Sequence, residues 1–289
     1  MSTAPTRPQL LTTIAAIREL VASERASGRR ISLTPTLGAL HAGHLSHLKR
    51  AAELADTRVV SVFVNPLQFG PNEDLAKYPR TLEEDLDQLG ELGVPYVFAP
   101  SAEEMYPDGA PEVLVSAGKI GSLYEGRSRP GHFDGVLTVV AKLLLIVQPD
   151  VVTFGQKDAQ QLYLVQRMVH DLNIPVVVEP IEIVREEDGL ALSSRNRYLD
   201  ERERRAAKVL SAALEAAASS ADRGIDAVIA AAQSTLMGEP LVDLDYLKIV
   251  NPETFLPADD VYRGPALVLV AARVGTTRLI DNERISLAG

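Results

Sequence analysis

Cysteine is absent from the 289 residues, which excludes disulfide frameworks, thiolate zinc sites and cysteine nucleophiles. No run of about 18 uninterrupted apolar residues occurs, so the sequence predicts no membrane-spanning helix. The opening MSTAPTRPQLL lacks the charged-then-apolar order of a secretory leader, and the expectation is a soluble, cytoplasmic protein with no membrane partner. Positive charge is also in deficit. Lys and Arg number 29 against 39 Asp and Glu, for a net charge of −10. A nucleic-acid surface needs clustered basic side chains, so nucleic acid is not expected as a partner. An anionic small molecule stays open if a few cations converge locally.

What is present is apolar bulk, 46% of the chain, enough for two packed cores. From Ile31 to about Arg185, short apolar runs alternate with helical periodicity. RISLTP, VVSVFVNP, PYVFAP, DVVTFG and VVVEPIEIV read as strands. GHLSHLKRAAELAD, TLEEDLDQLGELG, DGVLTVVAKLLLIVQP and KDAQQLYLVQRMVHDLNI read as helices. The first helix is expected to bury Leu45, Leu48, Ala52 and Leu54. Such alternation predicts βαβ units, hence an α/β fold with a Rossmann-like, doubly wound parallel sheet over residues 1–185. After Arg185 the texture changes. A polar stretch leads to an Asp200/Glu203 capping-box start, one helix over ERERRAAKVLSAALEAAAS, a second over DAVIAAAQSTLM, and three strands, the last two joined near Gly275. Residues 186–289 are therefore expected to form a smaller α+β domain.

In open sheets of this kind, ligands sit beyond the carboxyl ends of strands, and the conspicuous motifs fall there. PTLGALHAGHL places Gly38, His41, Gly43 and His44 between a strand and a helix. Three readings apply. A metal would need further ligands beside His41 and His44, and the Glu of a His-Glu-x-x-His site is missing. A phosphate would meet bare backbone, a helix N-terminus and two imidazoles. A plain helix start needs neither. FVNPLQF offers the amides of Asn65 and Gln68, neutral donors suited to a hydroxyl-bearing carboxylate substrate, or simply a turn. The run Glu83, Glu84, Asp85 and Asp87 is either a solvated helix face or a source of Mg²⁺ ligands.

FGQKDAQQ repeats strand, glycine and helix, with Lys157 as a point charge for phosphate and Gln161 four residues on. LALSSRN supplies Ser193, Ser194 and the five-donor fork of Arg195, a composition that suits a polyphosphate tail and also an ordinary loop. GRSRPGHFDG holds Arg127, Arg129 and His132 in a segment without periodicity, read as a flap or a flexible turn.

PTLGALHAGHL, FVNPLQF, YPRTLEEDL, FGQKDAQQ, ALSSRNRYL and ARVGTTRLIDN occur in one order along most of the chain. In that order they resemble the pantoate–β-alanine ligase family, within the nucleotidyltransferases that carry a His-x-Gly-His segment. The resemblance implies an ATP-dependent ligase that condenses pantoate with β-alanine through a pantoyl adenylate, releasing AMP and pyrophosphate on the route to pantothenate and coenzyme A. Carried over by position, it implies ATP contacts at Leu37, Gly38, Ala39, Leu40, His41, Ala42, Gly43 and His44. Further contacts fall at Gly155, Gln156, Lys157, Asp158, Val184, Leu192, Ser193, Ser194 and Arg195. Pantoate falls to Gln68 and Gln161. His44, His41, Lys157 and Arg195 take the catalytic roles, and Mg²⁺ is assigned to Glu84, Asp85 and Gln88. The smaller domain would act as a lid, and the family resemblance implies a homodimer. Leu37 stands where many members carry Met, and Gln156 where Glu is usual. Other readings that keep the ATP site make the product a nucleotide-linked cofactor, or make the protein a regulatory nucleotide-binding module; a histidine-metal hydrolase is the remaining alternative.

Overall fold

The computed structural model describes residues 7–71, 73 and 75–288. Residues 1–6, on which the expectation of no leader partly rests, lie outside it. The chain divides into two compact units. One comprises the chain up to Gln156 together with Leu164–Glu182, the other Lys157–Tyr163 and the chain from Ile183 onward.

The first unit is built on a six-stranded, wholly parallel sheet. Its strands are β1 (Gln9–Leu11), β2 (Ile31–Thr36), β3 (Thr57–Val62), β4 (Tyr96–Phe98), β5 (Val151–Gly155) and β6 (Val177–Ile181), in the order β1-β4-β3-β2-β5-β6. Helices α1 (Ile14–Ala26), α2 (Ala42–Leu54), α3 (Leu82–Glu91), the short α4 (Ala102–Met105) and α5 (Glu125–Ser128), α6 (His132–Val147) and α7 (Ala159–Asp171), of which the residues up to Tyr163 count with the second unit, fill the connections. Ile31, Leu33, Val60, Val97 and Val152 are fully buried, as the central strands of a sheet covered on both faces require. Pro180 sits in β6, an edge strand, where a missing N–H is tolerated. The order reverses between β2 and β5, which makes their carboxyl ends the topological switch point of the sheet.

Three details depart from the sequence expectation. β1 and α1 were not foreseen, because β1 is only three residues long and the one-face spacing of Ile17, Val21 and Glu24 ends on a charged residue instead of an apolar one. The apolar face of α2 is Leu48 and Ala51, while Ala52 is exposed, so the buried stripe is rotated by one residue. Residues 132–133 belong to α6 and not to a flap, since Gly131 at φ 80° starts the helix two residues early.

The second unit carries the antiparallel sheet β7 (Val242–Val250), β8 (Gly264–Val274) and β9 (Thr277–Leu287). Helices α8 (Glu201–Ala207), α9 (Val209–Ala218) and α10 (Ile225–Met237) cover it around a core that includes Leu210, Leu214, Val228, Val268 and Val270. The Asp200/Glu203 capping box is present, but the helix it starts is interrupted at Lys208. Among the described residues no helix is long and apolar enough to cross a membrane.

Candidate active site

The loop after β2 is held from beneath. Thr36 donates its hydroxyl to the Ser61 carbonyl at 2.8 Å and accepts the Gly38 N–H at 3.2 Å. Gly38 adopts φ 84°, and a Cβ there would stand 3.1 Å from both Asp85 Oδ2 and Val62 Cγ1, so only glycine meets both demands. Ala39 and Leu40 donate their N–H groups to the two carboxylate oxygens of Asp85, at 3.0 and 2.8 Å, and the Thr81 hydroxyl adds a third bond at 3.2 Å. Asp85, 1% exposed, thus fastens the loop to α3. Glu84 and Gln88 lie one turn apart on the exposed part of that helix.

His41 and His44 then form a capping box made of two imidazoles. His41 Nδ1 accepts the Gly43 N–H and His44 Nδ1 accepts the His41 N–H, each at 3.1 Å, with ring centroids 4.1 Å apart. An Nδ1 that accepts is unprotonated, so both neutral rings carry their proton on Nε2. Burial, reinforced by the neighbouring His41 and His47, pushes His44 down to about 3, and the ring is neutral at neutral pH. The helix-start reading is seen directly in this cap. One nitrogen caps the helix, and the other presents a donor beside a helix N-terminus, an arrangement suited to an anion.

His47, on the helix that His41 and His44 start, reaches across to β5. Its Nδ1 pairs with Thr153 Oγ1 at 3.2 Å, and its Nε2 stands 3.3 Å from where a Cβ on Gly155 would be. This contact ties the histidine helix to the glycine that ends β5, immediately before Gln156. Its only sequence signal is the i, i+3 spacing from His44.

Gln68 is buried in the turn after β3, the strand beside β2. Asn65 organises the turn. Its Nδ2 donates to Gln68 Oε1 at 3.2 Å and to the Gly135 carbonyl at 3.1 Å, and its Oδ1 accepts the Tyr106 hydroxyl at 2.8 Å. Gly135 lets α6 approach so closely that a Cβ there would lie 2.3 Å from the Leu67 carbonyl oxygen.

The remaining sequence candidates belong to the second unit. Lys157, with its amino group 3.7 Å from Asp158, is fixed through its backbone carbonyl, which accepts Asn282 Nδ2 at 3.0 Å. Gln161 is half-buried in the first turn of α7. Val184 and Leu192 meet as the carbonyl and N–H of one bond at 2.9 Å, closing a narrow loop. Ser193 caps the turn that follows and accepts the Arg195 N–H at 3.2 Å, with Ser194 and Arg195 half-buried on it. Arg185, at the root of the loop, makes a two-pronged pair with Asp281 at 2.6 and 3.1 Å. Sequence reasoning missed Asp281 and Asn282 as anchors. Adjacent on β9, they hold the serine loop and the Lys157 backbone respectively. They carry no distinct sequence signal, because β9 reads TRLIDNERISL and is polar along much of its length, and only the fold shows that these two are buried.

The family model described as Pantoate-beta-alanine ligase matches residues 9–284. A relative from Leifsonia xyli subsp. xyli named pantothenate synthetase is 54% identical over 287 residues, covering 96% of this chain and all of its own length. The crystal structure of pantothenate synthetase from Thermus thermophilus superposes with a TM-score of 0.89 at 48% identity, over 95% of this chain and 98% of that one. The pantoate-β-alanine ligase of Francisella tularensis, solved with βγ ATP and β-alanine, gives 0.79 at 33% identity, over 96% and 97%. On a match spanning both units, the chain belongs to the pantoate-β-alanine ligase family.

Proposed function

We propose that this protein joins pantoate to β-alanine at the expense of ATP, forming pantothenate for coenzyme A synthesis. The observation that carries the reading is the paired-imidazole cap at the end of β2, in a chain of this ligase family. A carboxylate oxygen of pantoate attacks the α-phosphorus of ATP, the bond to the bridging oxygen breaks and pyrophosphate leaves. The uncharged amine of β-alanine then attacks the acyl carbon of the pantoyl adenylate. The carbon–oxygen bond breaks, AMP leaves and the amine proton passes to solvent. No protein nucleophile is needed; the first task is to bring two anions together and stabilise charge on phosphoryl oxygens.

The roles follow from chemistry. His44 and His41 donate from Nε2 to phosphoryl oxygens; Lys157 and Arg195, with Ser193 and Ser194, neutralise the triphosphate. Leu37–His44, Gly155–Asp158, Val184 and Leu192 line the nucleotide, and the amides of Gln68 and Gln161 orient pantoate. Residues 1–185 serve nucleotide and pantoate binding, and residues 186–289 exclude water from the acyl phosphate.

Magnesium would accompany the ATP phosphates and offset their charge. Glu84 and Gln88 offer oxygen donors of the kind Mg²⁺ takes beside phosphates. Asp85 already gives each carboxylate oxygen to a loop N–H, so a metal contact would use its remaining lone pairs. The same reading carries a cytoplasmic homodimer, which sedimentation of the purified protein tests.

The deciding experiment mixes protein, ATP, magnesium, pantoate and β-alanine, omits each in turn and follows AMP. Exchange of pyrophosphate into ATP that requires pantoate is the expected result. AMP release independent of pantoate overturns the reading.

A further inference from the structure

Arg129 and His132 take no part in the chemistry above, yet they form a polar line that ends on the Gln68 turn. Nε and Nη2 of Arg129 donate to the two oxygens of Glu73 at 2.7 and 2.6 Å. Nη1 faces Nε2 of His132 at 2.9 Å. A guanidinium has only donors, so His132 Nε2 accepts and the ring proton resides on Nδ1. That Nδ1–H donates to the Gln68 backbone carbonyl at 2.8 Å. Burial, with the Arg129 charge beside it, pushes His132 down to about 4, so this tautomer persists at neutral pH.

Gln68 is thereby gripped at its carbonyl by His132, with Arg129 Nη2 a longer second donor at 3.5 Å, and at its side-chain oxygen by Asn65. The grip on Oε1 turns the amide so that its nitrogen is the end offered to a ligand. Glu73 aims Arg129, Arg129 selects the His132 tautomer, and His132 fixes the Gln68 backbone. Each step is directional, because reversing any donor and acceptor would set two like groups face to face.

We propose that Arg129 and His132 are positioning residues for pantoate, setting its affinity through Gln68 without touching the substrate. The inference rests on the reading of Gln68 as a pantoate contact. A merely structural role would alter stability and the handling of ATP and pantoate together. A positioning role moves the pantoate constant alone and vanishes when Gln68 is gone.

The test compares steady-state constants of His132→Leu, His132→Asn, Arg129→Met and Gln68→Ala, and of the double variant Gln68→Ala/His132→Leu. His132→Leu and Arg129→Met should each raise KM for pantoate roughly tenfold, the scale of losing one buried hydrogen bond in the line that holds the Gln68 carbonyl, with KM for ATP unchanged. His132→Asn, whose amide nitrogen stands where Nδ1 does, should restore it. The double variant should match Gln68→Ala, because coupled residues are non-additive. If Gln68→Ala raises the pantoate KM while both His132→Leu and Arg129→Met leave it within twofold, the positioning role is overturned and the pantoate reading stands. If Gln68→Ala itself leaves it unchanged, the pantoate reading falls and takes the inference with it. Should His132→Leu fail to fold, Arg129→Met and His132→Asn decide the matter by the same criteria.

Discussion

The main-chain N–H of His41 donates to Nδ1 of His44 across 3.1 Å. That bond leaves the ring proton of His44 on Nε2 and makes a neutral donor of it. His44→Ala should lower the rate of adenylate formation by roughly 10²-fold or more, the scale of losing a preorganised donor to a developing charge. His44→Lys should not rescue it, because an ammonium brings donors and a charge but has no acceptor for the cap. Single-turnover measurement of the adenylate checks both, and a near-normal rate in either variant removes the role.

Neutral, buried histidines also make stability depend on pH. His44 and His132 fall from an ordinary 6.5 to about 3 and about 4 in the folded protein. Below 6.5 the unfolded chain takes up protons that the folded chain refuses. Their contribution is therefore complete above pH 6.5 and is lost as pH falls toward 4, by up to about 1.4 kcal/mol per pH unit for each ring. Urea midpoints should drop between pH 6.5 and 5, and less steeply in His132→Asn. A flat profile over that window contradicts the assignment.

Asp85 holds two loop N–H groups inside the protein. Asp85→Ala should cost about 2 kcal/mol of stability, since the Ala39 and Leu40 donors lose their acceptor. It should also weaken ATP binding about tenfold by releasing the loop that positions the histidines. Calorimetric titration with a non-hydrolysable ATP analogue, run beside thermal unfolding, separates the two. Unaltered nucleotide affinity would confine Asp85 to folding.

Asp281 and Asn282 divide two tasks between neighbours. Asp281→Ala removes the two-pronged partner of a mostly buried guanidinium and leaves Arg185 only the more distant Glu283 carboxylate and two backbone carbonyls, so a loss of about 2 kcal/mol is expected. Asn282→Ala removes one bond to the Lys157 backbone and should lower turnover several-fold with little change in stability. The direct loss, Lys157→Ala, should be the larger, roughly 10²-fold in adenylation. If Asn282→Ala melts the protein but leaves turnover of the folded fraction intact, the anchor is structural only.

The sheet was legible because β2, β3 and β5 are buried on both faces and announce themselves as short β-branched runs. The histidine loop was legible because two glycines and two histidines between a strand and a helix are locally unusual. What escaped the sequence depends on partners far along the chain. Asp85 read as one acid among several, and its link to residues 39 and 40 has no local period. His132 read as part of a glycine-rich turn, because Gly131 and Gly135 flank it and the left-handed φ of 80° that makes Gly131 a helix start is not visible in the sequence. Asp281 and Asn282 sat in a recognised segment, yet their partners, Arg185 and Lys157, lie about a hundred residues away.

Helix α6 buries 13 of its 16 residues and meets the Gln68 turn at Gly135 without an intervening side chain. The Gln68 amide, proposed to orient pantoate, thus inherits the immobility of the protein interior. Repacking replacements along α6, several turns from any reactant, should register as altered discrimination among hydroxy acids before they register as melting. Selection for a different acid would find its first footholds inside the molecule, along that buried rod.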